Sequence, residues 1–255
     1  MRLCTLLRNV EGTLAAPTDN FGATRKAGPM LKKDQFYKDI LDGLSLFYES
    51  RFISDIRNTA LAYPASGLGN ALNRRQTASK LWLLDGLFEA HGGQLGTVHV
   101  LGGWYGVLAA LFVHDSRFEV DHVVSFDLDP ACAPIANSLN AAAVEDGLFT
   151  PVTADIVELS YGPAGVRAGR NALPSPDLII NTSCEHLDRF EEWFEGLPEG
   201  VLLVLQSNDY FSEPEHINCV PDLESFKAQV PLGERLFEGA LEFDKYTRFM
   251  LIGRK

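Results

Sequence analysis

The sequence predicts an α/β protein: a mostly parallel sheet covered by helices, an antiparallel hairpin at its C-terminal edge, and a helical extension at its N-terminal end. Three observations carry this expectation. From residue 95 onward, short apolar runs alternate with segments of helical spacing, and strands separated by helices pair in parallel. The last two runs, "ERLFEGALEF" and "YTRFMLIGRK", are joined by a tight turn and so pair antiparallel. In residues 31–94 the apolar positions recur at helical steps.

Residues 1–30, rich in Gly, Ala, Thr and Pro, read as a flexible arm. In "LKKDQFYKDILDGLSLFYESRFISDIRNTALAY", Phe36, Ile40, Leu44 and Phe47 fall at three- and four-residue steps, which predicts a helix ended by Pro64, Gly67 and Gly69. "NALNRRQTASKLWLLDGLFEAHGG" is a second helical region, stopped at Gly92-Gly93. Residues 31–94 thus read as a lid or extension, and residues 95–255 as the ligand-binding domain. There, "TVHVLGG" is a strand running into the helix "WYGVLAALFVHD". "VDHVVSFDLDP" is a second strand, followed by the helix "CAPIANSLNAAAVED". "FTPVTADIVEL" holds a third strand, "PDLIINTSCEH" a fourth and "GVLLVLQSNDYF" a fifth, with helices at "EEWFEGL" and "DLESFKAQV".

A net charge of −12 disfavours a nucleic-acid or anionic-membrane partner. Four dispersed cysteines form no C-x-x-C pair, so neither a zinc clamp nor a disulfide framework is expected. "MRLCTLLRNVEGTL" is interrupted by Arg8 and makes a poor signal peptide. With no long apolar run, a cytoplasmic protein with a small-molecule substrate is expected. Its oligomeric state is left open, a homodimer included.

Ligands of open α/β sheets bind at the carboxyl ends of the strands, so those ends hold the candidate residues. The first carries Gly102, Gly103, Trp104, Tyr105 and Gly106, a turn bare enough for close backbone approach. The second ends in Asp127 and Leu128, about 25 residues after Gly102, the spacing at which an acid accepts hydrogen bonds from a ribose diol. The third ends in Asp155 and Ile156. Turn formation alone also explains the glycines, and helix capping alone explains Asp127 or Asp129. Asn181, Ser183, Glu185 and His186 at the fourth strand end, and Ser207 with Asn208 at the fifth, are candidates to position or deprotonate a nucleophile. Capping and a surface pair are the structural alternative for Glu185 and His186. Tyr37 and Tyr48 are aromatic candidates from the helical front. No metal is expected: His216 and Cys219 become ligands only if distant partners join them.

The register "VLGGWYG", with Gly102 and Gly106 as outer glycines, resembles the first motif of class I S-adenosylmethionine (SAM)-dependent methyltransferases. "SFDLDP" is similar to that family's second motif and "TAD" to its adenine-side motif. The resemblance covers about residues 95–255. It implies a Rossmann-like fold with SAM as cofactor, its ribose on Asp127, its adenine near Asp155 and its methionine end over Gly102–Gly106. Three departures stand out: Val100 replaces an acid, Trp104 replaces the middle glycine, and "NTSCEH" keeps only Asn181 of the D/N-P-P-Y of amine-modifying relatives.

Methyl transfer to an amine or similar nucleophile is the expected reaction. Cyclisation of SAM itself to azetidine-2-carboxylate, releasing methylthioadenosine, is the closest alternative. A nicotinamide-dependent oxidoreductase and a non-catalytic SAM-binding module are the others. Leu101 stands where a dinucleotide turn has its first glycine, which disfavours the oxidoreductase.

Overall fold

The computed structural model describes residues 33–48 and 50–255, so the arm expected over residues 1–30 lies outside the described residues. Helices α1 (Lys33–Phe47), α2 (Arg51–Ala62), α3 (Leu68–Ala71) and α4 (Arg74–His91) come first. The single helix expected through Tyr63 is therefore two. Ser50 is extended, with φ −120 and ψ 120, and the break lets α1 fold back on α2, joined by an Asp42–Arg57 ion pair. Asn73 caps α4 by accepting the Gln76 N–H at 3.0 Å. Gly92 stops it as expected, with φ 89.

The next elements are β1 (Gln94–Leu101), α5 (Val107–His114), β2 (Glu119–Asp127), α6 (Cys132–Leu139), α7 (Ala141–Glu145) and β3 (Phe149–Thr153). Trp104 and Tyr105 belong to the turn before α5, not to the helix. The expected long helix after β2 is split at Asn140, whose side chain donates to the carbonyls of Ala136 (2.9 Å) and Gly106 (3.2 Å). Three short strands, β4 (Ser160–Gly162), β5 (Gly165–Ala168) and β6 (Asn171–Leu173), form a small antiparallel sheet that the sequence reading did not anticipate. Then follow β7 (Leu178–Asn181), α8 (Phe190–Glu195), β8 (Leu202–Asn208), α9 (Leu223–Gln229), β9 (Glu234–Glu242) and β10 (Thr247–Arg254).

The main sheet has the order β3-β2-β1-β7-β8-β10-β9. β1 pairs in parallel with β2 and β7, and β10 runs antiparallel to both β8 and β9. The hairpin is present, but its second strand lies inside the sheet and its first forms the edge. Burial explains this: Arg248 to Gly253 are all buried, whereas β9 alternates between exposed and half-buried positions. The chain crosses from the β3 side to β7, so strand order reverses beside β1, where such sheets open a crevice.

Packing divides the region expected to be one extension. α4 completely buries Leu83, Leu84 and Leu87, each worth about 2 kcal/mol of apolar transfer. A Cβ added at Gly86 would stand 2.9 Å from Met250 Cε. α4 is thus a layer of the main domain. The α2–α3 segment instead packs through Phe52, Ile56, Leu68 and Ala71 against Val107 and Leu139. Phe190, Trp193 and Phe226 belong to a second core cluster around the small sheet, α8 and α9. No helix among the described residues is long and apolar enough to cross a membrane.

His99 in β1 is completely buried, edge-on to Phe126 with ring centroids 5.2 Å apart. Neither ring nitrogen finds a well-formed hydrogen bond among the described residues. Burial pushes its pKa down to about 4, against a smaller opposing pull from the Pro174 carbonyl. The native imidazole is neutral, while the unfolded chain takes the proton near 6.5. Stability present above that value is therefore lost as pH falls towards 4, by on the order of 3 kcal/mol. Urea midpoints between pH 7 and 4 should fall less steeply for His99→Leu than for the native chain. Parallel curves would assign the acid limb to other groups.

Candidate functional site

A cavity of about 700 Å³ opens where strand order reverses, lined from β1 by Val100, from β2 by Asp127 and from β7 by Asn181. Its size suits a nucleoside-sized ligand.

The turn after β1 forms one wall. Gly102 has φ 68 and lines the cavity. The Gly103 N–H donates to the Phe126 carbonyl at 2.8 Å, and a Cβ at Gly103 would fall 2.0 Å from Ser125 Oγ. Trp104 has φ 49, a left-handed conformation that costs a non-glycine residue about 1 kcal/mol. That is the physical reason a glycine is usual at such a position. Its ring lies 4.8 Å from the Tyr105 ring, the Tyr105 hydroxyl donates to the Ser66 carbonyl, and both rings pack on the α2–α3 cluster. Trp104 therefore ties the turn to the extension while also lining the cavity.

Gly106 sits behind the cavity wall. Its φ is 72, and an added Cβ would lie 2.6 Å from Asn140 Nδ2 and 3.1 Å from Phe149 Cζ. Close packing on α6 and β3 accounts for it.

Asp127 Oδ2 accepts the Trp104 N–H at 2.8 Å, and Oδ1 accepts the Asp129 N–H at 3.0 Å. Leu128 is 68% exposed, an apolar side chain at the cavity. Asp155 Oδ1 accepts the Val157 N–H at 2.9 Å, so it caps a short 3-10 turn while lining the cavity beside Ile156.

At the β7 end, Asn181 is buried; its Oδ1 accepts the Ser183 N–H at 2.9 Å, and its Nδ2 has no partner among the described residues. Ser183, Glu185 and His186 also line the cavity. Glu185 is no surface residue: it is 1% exposed. Its Oε1 accepts from Asn208 Nδ2 at 2.6 Å and from Arg248 at 3.2 Å. Arg248 also donates to the Thr182 carbonyl at 2.7 Å. Ser207 is placed differently. It lies opposite Phe249 in the sheet register, is completely buried, and does not line the cavity. Tyr48 is exposed away from the cavity wall, and the Tyr37 side chain lies outside the described residues.

Several wall residues carry no role assigned from the sequence. Arg75, Gln76 and Lys80 come from α4, Tyr210 follows β8, and Tyr246 and Arg248 come from the final hairpin. The available signal was a charge inside an apolar run, Lys80 in "ASKLWLL" and Arg248 in "YTRFMLIG". Lys80 donates to Gln76 Oε1 at 3.0 Å. Burial, with some repulsion from Arg248, pushes its pKa down to about 8.

The strand order, mostly parallel with an antiparallel edge, is that of the Rossmann-like class I methyltransferase fold. Among solved structures, the chain is similar to the N-methyltransferase NodS from Bradyrhizobium japonicum WM9 in complex with S-adenosyl-l-homocysteine: 12% identity over 72% of this chain and 88% of that one, TM-score 0.52. It is similar to the MccD protein at 8% identity, covering 70% of this chain and 98% of that one, TM-score 0.55. It is similar to the [4+2]-cyclase SpnF at 12% identity, covering 71% and 82%, TM-score 0.51. At such identities the likeness establishes architecture alone. No protein-family model and no curated protein matches the chain.

Because Lys80 loses its proton more easily in the folded chain, its burial destabilises the fold fully below about pH 8. That penalty is relieved as pH rises towards the unfolded value of 10.5. Lys80→Met should therefore melt at a higher temperature than the native chain at pH 7, with the gap narrowing by about pH 10. A gap independent of pH would show that the ammonium charge is not its cause.

Proposed function

We propose that this chain is a SAM-utilising enzyme acting on a small molecule, transferring the methyl group to an amine or a similar nucleophile. The observation that carries this reading is the pairing of Asp127 with the bare Gly102 in one cavity at the sheet's switch point. The residues present fit such a ligand. Each Asp127 oxygen accepts one N–H and keeps a further acceptor position for a ribose hydroxyl. Leu128 and Ile156 offer apolar surface to a flat base, and Asp155 an acceptor for its amino group. Arg75, Lys80 and Arg248 supply positive charge for an amino-acid carboxylate. The NodS structure, named as an N-methyltransferase, holds S-adenosyl-l-homocysteine in the same fold.

Bound SAM supplies an electrophilic carbon on its sulfonium. The chain's task is to orient a nucleophile in line with it and exclude water. Asn181 Nδ2, buried and unpartnered among the described residues, offers a donor to hold one reactant. Ser183 adds a hydroxyl. His186 lines the cavity with its Nδ1 engaged by the Glu215 carbonyl at 3.0 Å, which fixes the ring at the wall. Glu185, held by Arg248 and Asn208, fixes the loop instead of serving as a free base.

A second reading, cyclisation of SAM to azetidine-2-carboxylate, is favoured by Val100. This residue lines the cavity where an acid would stabilise the ammonium, and is only 2% exposed. The amine would displace sulfur from the side-chain carbon, closing one C–N bond as the C–S bond breaks and losing a proton.

Two measurements test these readings. Asp127→Ala should weaken SAM binding by calorimetry about 10-fold or more, since each lost hydrogen bond to a charged acceptor is worth about 1.5 kcal/mol or more. Unchanged affinity would remove Asp127 from the site. Incubation with SAM alone should leave it intact, and S-adenosylhomocysteine should form only when a small amine is added. Methylthioadenosine from SAM alone would establish the second reading and end the first.

A further inference from the structure

We propose that Glu185, His186 and His216 bind a divalent first-row transition-metal ion on the cavity wall. The sequence placed His216 too far from other ligands to count, but the fold supplies the missing partners. One ligand-type atom of each of the three side chains lies within 4.8 Å of the other two, and all three residues line the cavity.

The two imidazoles are prepared in the same way. His186 Nδ1 lies 3.0 Å from the Glu215 carbonyl, and His216 Nδ1 lies 3.2 Å from the Tyr210 carbonyl. A carbonyl only accepts, so Nδ1 carries the hydrogen in each ring and Nε2 keeps its lone pair. A backbone carbonyl on the far nitrogen is how metal-binding histidines are commonly oriented. The rings stand perpendicular, with centroids 4.6 Å apart, held by two different loops.

The carboxylate provides an independent sign. Glu185 Oε1 is taken by Asn208 and Arg248, but Oε2 is buried without any donor among the described residues. A buried carboxylate oxygen left unpaired is costly, and a cation between it and the two nitrogens removes that cost. Arg248 already offsets much of the carboxylate charge, so the imidazoles must contribute most of the affinity. That selects borderline ions such as Zn(II), Co(II) or Fe(II) over Mg(II) and Ca(II). Three protein ligands at a cavity wall leave positions open, the arrangement of a catalytic and not a structural ion. Its open positions suit a small molecule with an oxygen or nitrogen lone pair. This inference does not depend on the SAM reading.

The test uses the full chain, stripped with chelator and titrated without SAM. Co(II) should bind at one ion per chain, with the ligand-field absorption of a low-coordinate site, and Zn(II) should displace it while Mg(II) does not. His186→Ala and His216→Ala should each weaken Co(II) binding by about 100-fold with native circular dichroism retained. His91→Ala, an exposed histidine at the end of α4, should bind as the native chain does. Absence of saturable Co(II) and Zn(II) binding, or equal affinity in the native chain and both ligand variants, would overturn the proposal.

Discussion

The cavity floor depends on one buried ion pair. Glu185 and Arg248 have side chains only 2% and 7% exposed, and taking two charges out of water costs several kcal/mol per ion before their attraction offsets it. The arrangement survives because it is shared. Asn208 adds a hydrogen bond to the carboxylate, and the Thr182 carbonyl accepts from the guanidinium. The main chain joins the same knot, with the Asn218 N–H on the Glu185 carbonyl at 2.8 Å and Asn218 Nδ2 on the Cys184 carbonyl at 3.0 Å. The ends of β7, β8 and β10 and the loop bearing His216 are thereby held in one geometry.

A second carboxylate organises the opposite wall by different means. Asp127 has no ion-pair partner among the described residues; it accepts backbone N–H groups from the turn after β1 and from its own strand end. These bonds hold the two strand ends together while leaving the carboxylate half-exposed to the cavity. The turn carries left-handed residues at Gly102, Trp104 and Gly106. The aromatic packing of Trp104 on Tyr105 offsets what its backbone conformation costs.

The strands of the main sheet were legible because long apolar runs bounded by turn residues have few other fates. β4, β5 and β6 were not, since three or four residues carry no period to detect. Asp127, Asp155 and Asn181 could be expected at one cavity because a parallel sheet brings its strand ends together whatever the side-chain details. Gly106 is ambiguous from sequence for a physical reason: a glycine demanded by packing on Asn140 and one demanded by a ligand look alike until the neighbours are known. Ser207 has the opposite strand parity to its neighbour Asn208, which is the residue that reaches Glu185. Arg248 and Lys80 depend on β10 lying inside the sheet and on α4 joining the core, which local pattern does not reveal.

The place of β10 in the sheet has a consequence for vectorial synthesis on the ribosome. Arg248 follows Glu185 by 63 residues, and β10 joins β9 to the remainder of the sheet. A nascent chain that has emerged only as far as β9 holds an acid without its counter-ion and a β8 edge of buried apolar residues without a partner strand. Such an edge is a template for pairing with other chains. The nascent protein must pass through this interval before the last strand slides between β8 and β9, so the floor of the cavity and the colloidal safety of the sheet are completed by the same event.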